Sequence, residues 1–437
     1  MEWNRKYSLR SYLRSALWVV PVLAYVTSFI AIRIVGYLDD WLQWSWEWHM
    51  EVGAVQSVLQ GMVGATISFI VFAFSSLLVA IQVASAQLSP RIIATTLLRD
   101  NTIRRVVALF VLTLSFGLGT LARSQVHVQY LLLSFAVVLA GTSTVAFIYL
   151  IDYAARLLRP VSIVWRLGEE GLTVIEQVYP SKIKGKHIRS KPHPPLGTPD
   201  RIIAHQGVSA IILAVDLETL RLEAERTNGI IEFTRQVGDF LAVGEPLFLL
   251  YGGAAAAHDR VLRGAVAIGP ERTIEQDATF AFRVIVDIAI KALSKAINDP
   301  TTAVVAIDQL HRLLRVVGRR HLHDDVIMDS SGKPRVIFRT PGWDDFVQLS
   351  CREIRLYGAE NYQVARRLRA MLDNLVLSLF EARHAALLKE LELLNSALER
   401  LDLLPDDLAL AQMSDLQGLG APIRDPRLKG PAPATLS

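Results

Sequence analysis

Apolar residues gather in four long blocks within the first third of the chain, and the second block is the most informative. From Val52 to Pro90, thirty-nine residues pass without an Asp, Glu, Lys, Arg or His. As one helix this stretch would run about 58 Å at the α-helical rise, nearly twice the roughly 30 Å hydrocarbon thickness of a bilayer. Within it Ser57, Gly61, Gly64, Ser68, Ser75, Gln82, Ala86 and Ser89 recur at steps of three, four or seven. At about 100° per residue they share one stripe. The opposite stripe carries Leu59, Val63, Ile70, Leu77, Ile81 and Leu88, the set that a lipid-facing or packed surface needs. The spacing predicts a membrane helix with a small and polar seam turned toward protein or water, either lining a pore or packing against another helix.

Four spans are predicted, at about residues 16–38, 57–83, 105–122 and 128–151, each near the length that crosses a bilayer. Basic residues flank them alternately. Arg5, Lys6, Arg10 and Arg14 precede the first span, the connection from Asp39 to Glu51 has no Lys or Arg, and the next carries Arg91, Arg99, Arg104 and Arg105. Arg123 stands alone in the third connection, and Arg156, Arg159 and Arg166 follow the fourth span. The positive-inside rule then predicts a multi-pass protein with cytoplasmic N- and C-termini. The first span reads as a retained signal-anchor, because Trp41, Trp44, Trp46 and Trp48 follow it as an interfacial belt. Arg33 is close enough to the end of this span to snorkel, and Asp152 with Arg156 has the spacing of a helical ion pair.

Beyond the spans the chain changes character. Residues 1–155 read as a transmembrane domain and 156–200 as an exit helix followed by a Pro- and Lys-rich linker. Residues 201–270 read as a small β module and 271–405 as a helical domain with a β-hairpin at 326–338. The remainder, 406–437, reads as a mostly disordered tail. Short β-branched runs at Val208–Asp216, Gly229–Thr234 and Leu247–Tyr251 predict strands. The Gly punctuation at Gly238 and Gly244 resembles the turns of biotinyl/lipoyl-like sandwich modules, with no lysine placed for cofactor attachment. The fold class is therefore mainly α: four transmembrane helices, then an α+β region with a small β-sandwich-like module and a helical bundle.

Composition alters this picture little. Charged residues are 20% of the chain, and 46 basic against 42 acidic residues leave a formal charge of +4. With a mean hydropathy of +0.33, this suits a membrane protein with a large polar part and argues against a nucleic-acid partner. A single cysteine, Cys351, excludes an internal disulfide framework.

Chemistry-bearing motifs are sparse. Asn298-Asp299-Pro300-Thr301-Thr302 stands between two helical patterns, with Asp299 suited to an N-cap and Pro300 to the first helical position. It makes a sharp helical corner, or an anion site if its N–H groups stay free. Together with Arg272, Asp277 and Arg283 it forms the candidate ligand or partner surface. His321, His323, Asp324 and Asp325 have ligating atoms but enter a turn, so no metal is assigned. No cofactor is assigned either. Phosphate-binding Gly-Lys-Ser loops, Gly-x-Ser-x-Gly elbows and His-Glu-x-x-His pairs are all missing from the sequence, which leaves enzyme activity without a signature.

The runs Arg272-Thr-Ile-Glu-Gln-Asp277 and Lys291-Ala-Leu-Ser-Lys-Ala-Ile-Asn298-Asp299-Pro300-Thr301-Thr302, with Gln87-Leu-Ser-Pro90-Arg91 after the second span, resemble the hallmarks of the bacterial membrane protein family called domain of unknown function 2254. The resemblance covers roughly residues 10 to 400. It implies the architecture and a bacterial inner (plasma) membrane location, and carries no catalytic residue. Two functions remain open. One is a homo-oligomeric channel-like or transport protein with a cytosolic regulatory domain, whose partners are the lipid bilayer, further copies of itself and a small ligand or ion. The other is a membrane-anchored cytosolic sensor or scaffold with no transport path.

Overall fold

The computed structural model describes residues 3–42, 51–87, 100–124, 128–157, 159–183, 196–322 and 325–420. Two compact units emerge, one from Leu9 to Ile163 and the other from Val164 onward together with the first residues up to Ser8.

The first unit takes in the end of α1 (Trp3–Ser15), from Leu9 on, and then α2 (Val19–Leu42), α3 (Val52–Gln87), α4 (Asn101–Arg123) and α5 (Tyr130–Leu157). The last four are long and apolar enough to cross a membrane. The expected span at 16–38 begins later, at Val19, because the backbone leaves helical geometry after Ser15. The second is longer than expected. Its 36 residues extend about 54 Å, since nothing from Val52 to Gln87 breaks a helix.

α4 is the central helix and packs on α2, α3 and α5. Glycines allow its close approach to α2: a side chain at Gly119 would strike Ile32, and one at Gly36 would strike the Arg123 guanidinium. Polar groups tie the helix ends. Asp39, on α2, accepts the Leu131 N–H at 2.9 Å and so caps α5, while Gln129 donates to Asp40 at 3.0 Å. At the other end of α4, Asp100 accepts from Thr102 and Ile103 N–H and from the Tyr153 hydroxyl at 2.7 Å, which links α4 to α5. Midway, the hydroxyls of Thr113 and Ser143 bond at 2.7 Å. These polar groups inside the bundle thus have neighbours to bond, as a medium without water demands.

In the second unit, α6 (Pro160–Val178) precedes β1 (Arg201–Ala204), β2 (Ala210–Val215), α7 (Leu217–Arg226), β3 (Gly229–Phe233), β4 (Phe240–Leu241), β5 (Pro246–Gly252), α8 (Asp259–Gly264) and β6 (Val266–Gly269). Most of the expected linker lies outside the described residues. The strands predicted near 208–216, 229–234 and 247–251 are β2, β3 and β5. Helices α9 (Ala278–Ala292) and α10 (Pro300–Val317) follow, then β7 (Val326–Met328), β8 (Pro334–Ile337), α11 (Trp343–Gly358), α12 (Tyr362–Ser378), α13 (His384–Glu399) and α14 (Pro405–Ala411).

The strands form a five-stranded sheet, ordered β1-β5-β3-β8-β7, and a three-stranded sheet, β4-β2-β6. The hairpin expected within the helical stretch extends the larger sheet: β8 runs parallel to β3, with Ile231 opposite Val336. Buried Arg335 secures it, with its guanidinium bonded to Asp329, to the Gly229 carbonyl and to Asn228. Residues 406–437, expected to be mostly a disordered tail, begin with α14 and a loop that reaches Gly420. Arg366, 1% exposed, donates to the carbonyls of Met413 and Gly420, while Asp415 accepts the N–H groups of Gln417, Gly418 and Gly420. Residues 421–437 lie outside the described part.

Candidate functional site

The buried side of α3 is apolar. Val55, Leu59, Met62, Phe69, Ile70, Ala73, Leu77 and Ile81 pack into the two bundle cores, and Thr66 lies among them with its hydroxyl bonded to the Met62 carbonyl. The stripe that the sequence left as lipid-facing or packed is the packed one, apart from Leu88, which lies outside the described residues. On the opposite side Ser57, Gly61, Gly64, Ser68, Ser75 and Gln82 are all exposed. Among the described residues, its own helix backbone aside, no atom lies within 4 Å of a side chain placed at Gly61 or Gly64. The seam therefore points away from its own bundle. Ser89 lies outside the described residues.

Two of the seam's hydroxyls have partners. Ser57 donates to the Gly53 carbonyl at 2.9 Å and Ser68 to the Gly64 carbonyl at 3.0 Å, both back-bonds along the same helix. Such a surface tolerates close helix packing, because the small residues let backbones approach and these two hydroxyls are already bonded.

The second sequence-derived group is divided in space. Asp277 is the N-cap of α9 and accepts the Phe280 N–H at 3.0 Å, with Thr279 also bonded to its carboxylate. Asp299 caps α10, accepting the Thr302 N–H at 3.1 Å and the Thr302 hydroxyl. A 15-residue helix of about 22 Å separates these corners. Arg283, between them, pairs with Asp287 on its own helix and with Glu353 on α11. Arg272 and Asn298 are exposed, Thr301 is exposed in the first turn of α10, and Asn298 takes a positive φ of 48° that turns the chain into the cap. Asn298 to Thr302 turn the chain into the start of α10. The residues around Asp277 and those around Asp299 thus stand at opposite ends of α9.

A cleft that sequence reasoning missed does bring charged groups together. It has a volume of about 470 Å³, lies where β3 and β8 end side by side, and is lined by Glu232, Gln236, Asp325, Arg339, Thr340 and Asp345 over an apolar floor of Phe233, Ile337 and Phe338. One oxygen of each acid is fixed by the protein. The Tyr251 hydroxyl donates to Glu232 at 2.7 Å, Thr340 donates its N–H and hydroxyl to Asp325, and the Gly342 N–H donates to Asp345 at 2.8 Å. The bond to Glu232, behind burial, pushes the Tyr251 phenol up to about 12. Nearby Tyr179 is 2% exposed. Its phenol is raised far above the ordinary value by burial first, then by the negative charges of Asp277, Asp325 and Asp345. These residues come from separated segments, so no local spacing could have announced them. His321 precedes the cleft in the chain, while His323 and Asp324 lie outside the described residues. Among the described residues no three His, Cys, Asp or Glu side chains are grouped to hold a metal ion.

A family model described as predicted membrane protein, domain of unknown function 2254, matches residues 14–374. The chain belongs to that family. Among curated proteins, this DUF2254 chain is 29% identical over 392 residues to an uncharacterized protein of Mycobacterium bovis, covering 85% of this chain and 73% of the relative. An uncharacterized protein of Mycobacterium tuberculosis strain H37Rv matches with the same identity and coverage. No solved structure matches. For this DUF2254 protein the match covers all four apolar helices and most of the second unit, with both corner motifs.

Proposed function

We propose that this protein is a homo-oligomeric, channel-like or transport protein of a bacterial inner membrane, with the α3 seams of several copies facing one another and the second unit acting as a cytoplasmic regulatory domain. One observation carries the reading: the small and polar stripe of α3 is exposed along its described length, directly opposite the face used for intrachain packing. A seam of glycines and hydroxyls gains nothing from acyl chains and much from another helix or from water. The alternation of basic connections supports cytoplasmic termini.

Ion flux through liposomes containing the purified protein tests this reading. Ser75→Leu or Gln82→Leu is expected to change the flux if the seams line a wet path. Liposomes that stay silent under voltage, tension and pH steps would overturn transport. The back-bonded hydroxyls of Ser57 and Ser68 favour a second reading, in which the seams pack dry and the membrane unit anchors and assembles a cytosolic sensor or scaffold. In that case the copies still associate, and no flux appears.

A further inference from the structure

The cleft at the ends of β3 and β8 has the size of a small-molecule site, about 470 Å³ against a usual range of roughly 300–1,000 Å³. Its polar groups have opposite signs. Glu232, Asp325 and Asp345 line the cleft, and each is oriented through one carboxylate oxygen, so the three acids are held there without the entropy of a free side chain. Arg339, exposed and also lining the cleft, makes no ion pair among the described residues.

A separate observation concerns Asp277. Asp277 is 5% exposed, yet among the described residues its Oδ2 has no hydrogen-bond partner, a costly arrangement for a buried carboxylate. The same oxygen faces Gly238, where any side chain would collide with it. The turn that carries Gly238 also supplies Gln236 to the cleft lining, and Tyr179 has Asp277 and the cleft acids Asp325 and Asp345 as its charged neighbours. A bare glycine thus stands against an unmatched acceptor. Arg272 offsets the Asp277 charge only in part, since burial still holds this carboxyl above its ordinary range.

We propose that this cleft binds a small zwitterion, its ammonium or guanidinium group held by Glu232, Asp325 and Asp345 and its carboxylate held by Arg339. An organic cation suits the site better than a bare metal ion, because the acids line a roomy cleft with an apolar floor and are not grouped at ligating distance among the described residues. The proposal is independent of any path along α3.

Full-length protein in detergent is titrated with L-arginine and L-lysine, while methylammonium, acetate and Mg²⁺ serve as single-charge and metal controls. Binding is read by calorimetry and by the shift in melting temperature. An amino acid is expected to bind and raise the melting temperature, with affinity weakened about tenfold or more in Glu232→Gln and in Arg339→Gln. The amide oxygen introduced by Glu232→Gln still accepts the Tyr251 hydroxyl, and Arg339 is exposed, so both variants should melt like the parent without ligand. Failure of both amino acids to bind, unchanged affinity in the two variants, or saturation by Mg²⁺ alone would overturn it. Flux measurements are unaffected by any of these outcomes.

Discussion

Asp277 and the pair Arg355–Glu390 show how burial sets the value of a charge. Burial holds the Asp277 carboxyl above its ordinary range despite the Thr279 and Phe280 donors. The folded state therefore binds this proton more tightly than the unfolded chain. Its contribution to stability is full below the unfolded value of 3.8 and is lost as pH rises through the folded value. Asp277→Asn keeps an acceptor for the Phe280 N–H and removes the charge. It is expected to melt above the parent at pH 7, with the gap closing toward pH 4 in a pH series of melting curves. Asp277→Ala loses the cap and is expected to cost about 1 kcal/mol. Arg355 bonds Glu390 at 3.3 Å, and Glu390 is only 4% exposed. Arg355→Ala strands a buried carboxylate and is expected to cost about 3–5 kcal/mol by denaturant titration. Arg156→Ala breaks an exposed pair with Asp152 and should cost about 0–1 kcal/mol.

At the scale of elements, glycines in different helices should behave oppositely. Gly119 on α4 meets Ile32 of α2 with no room for a side chain, whereas Gly61 on α3 opens on empty space. Gly119→Val is expected to lower the melting temperature of the bundle. Gly61→Val should leave it unchanged and instead weaken association between copies, measured by sedimentation in detergent. The helices themselves were legible in the sequence because uncharged blocks of this length have few alternatives. So were β2, β3 and β5, through their β-branched runs and glycine stops. The partner of the hairpin was not legible, since β8 pairs with β3 across an intervening stretch of helices. Nor was the cleft, whose acids come from a strand end, the start of the hairpin and the first turn of α11. The order near Gly420 depends on Arg366, a buried guanidinium satisfied by carbonyls that only the folded chain brings to it.

For the whole molecule, the sequence revealed that α3 has two faces, and packing decided which one the bundle uses. The apolar stripe fills the cores shared with α2, α4 and α5. A 36-residue helix that spends its apolar face inside one chain presents its glycines and hydroxyls to whatever lies beyond, and the partner proposed for them is a second copy. Oxidative cross-linking in native membranes tests this claim most directly, with cysteines placed one at a time at Ser68 on the seam and at Val58 on its flank. Cys351 is buried and contributes no background. Ser68→Cys is expected to form disulfide-linked dimers readily and Val58→Cys to form few. Ser68→Cys that stays monomeric and reacts with a lipid-dissolved thiol reagent would contradict the account.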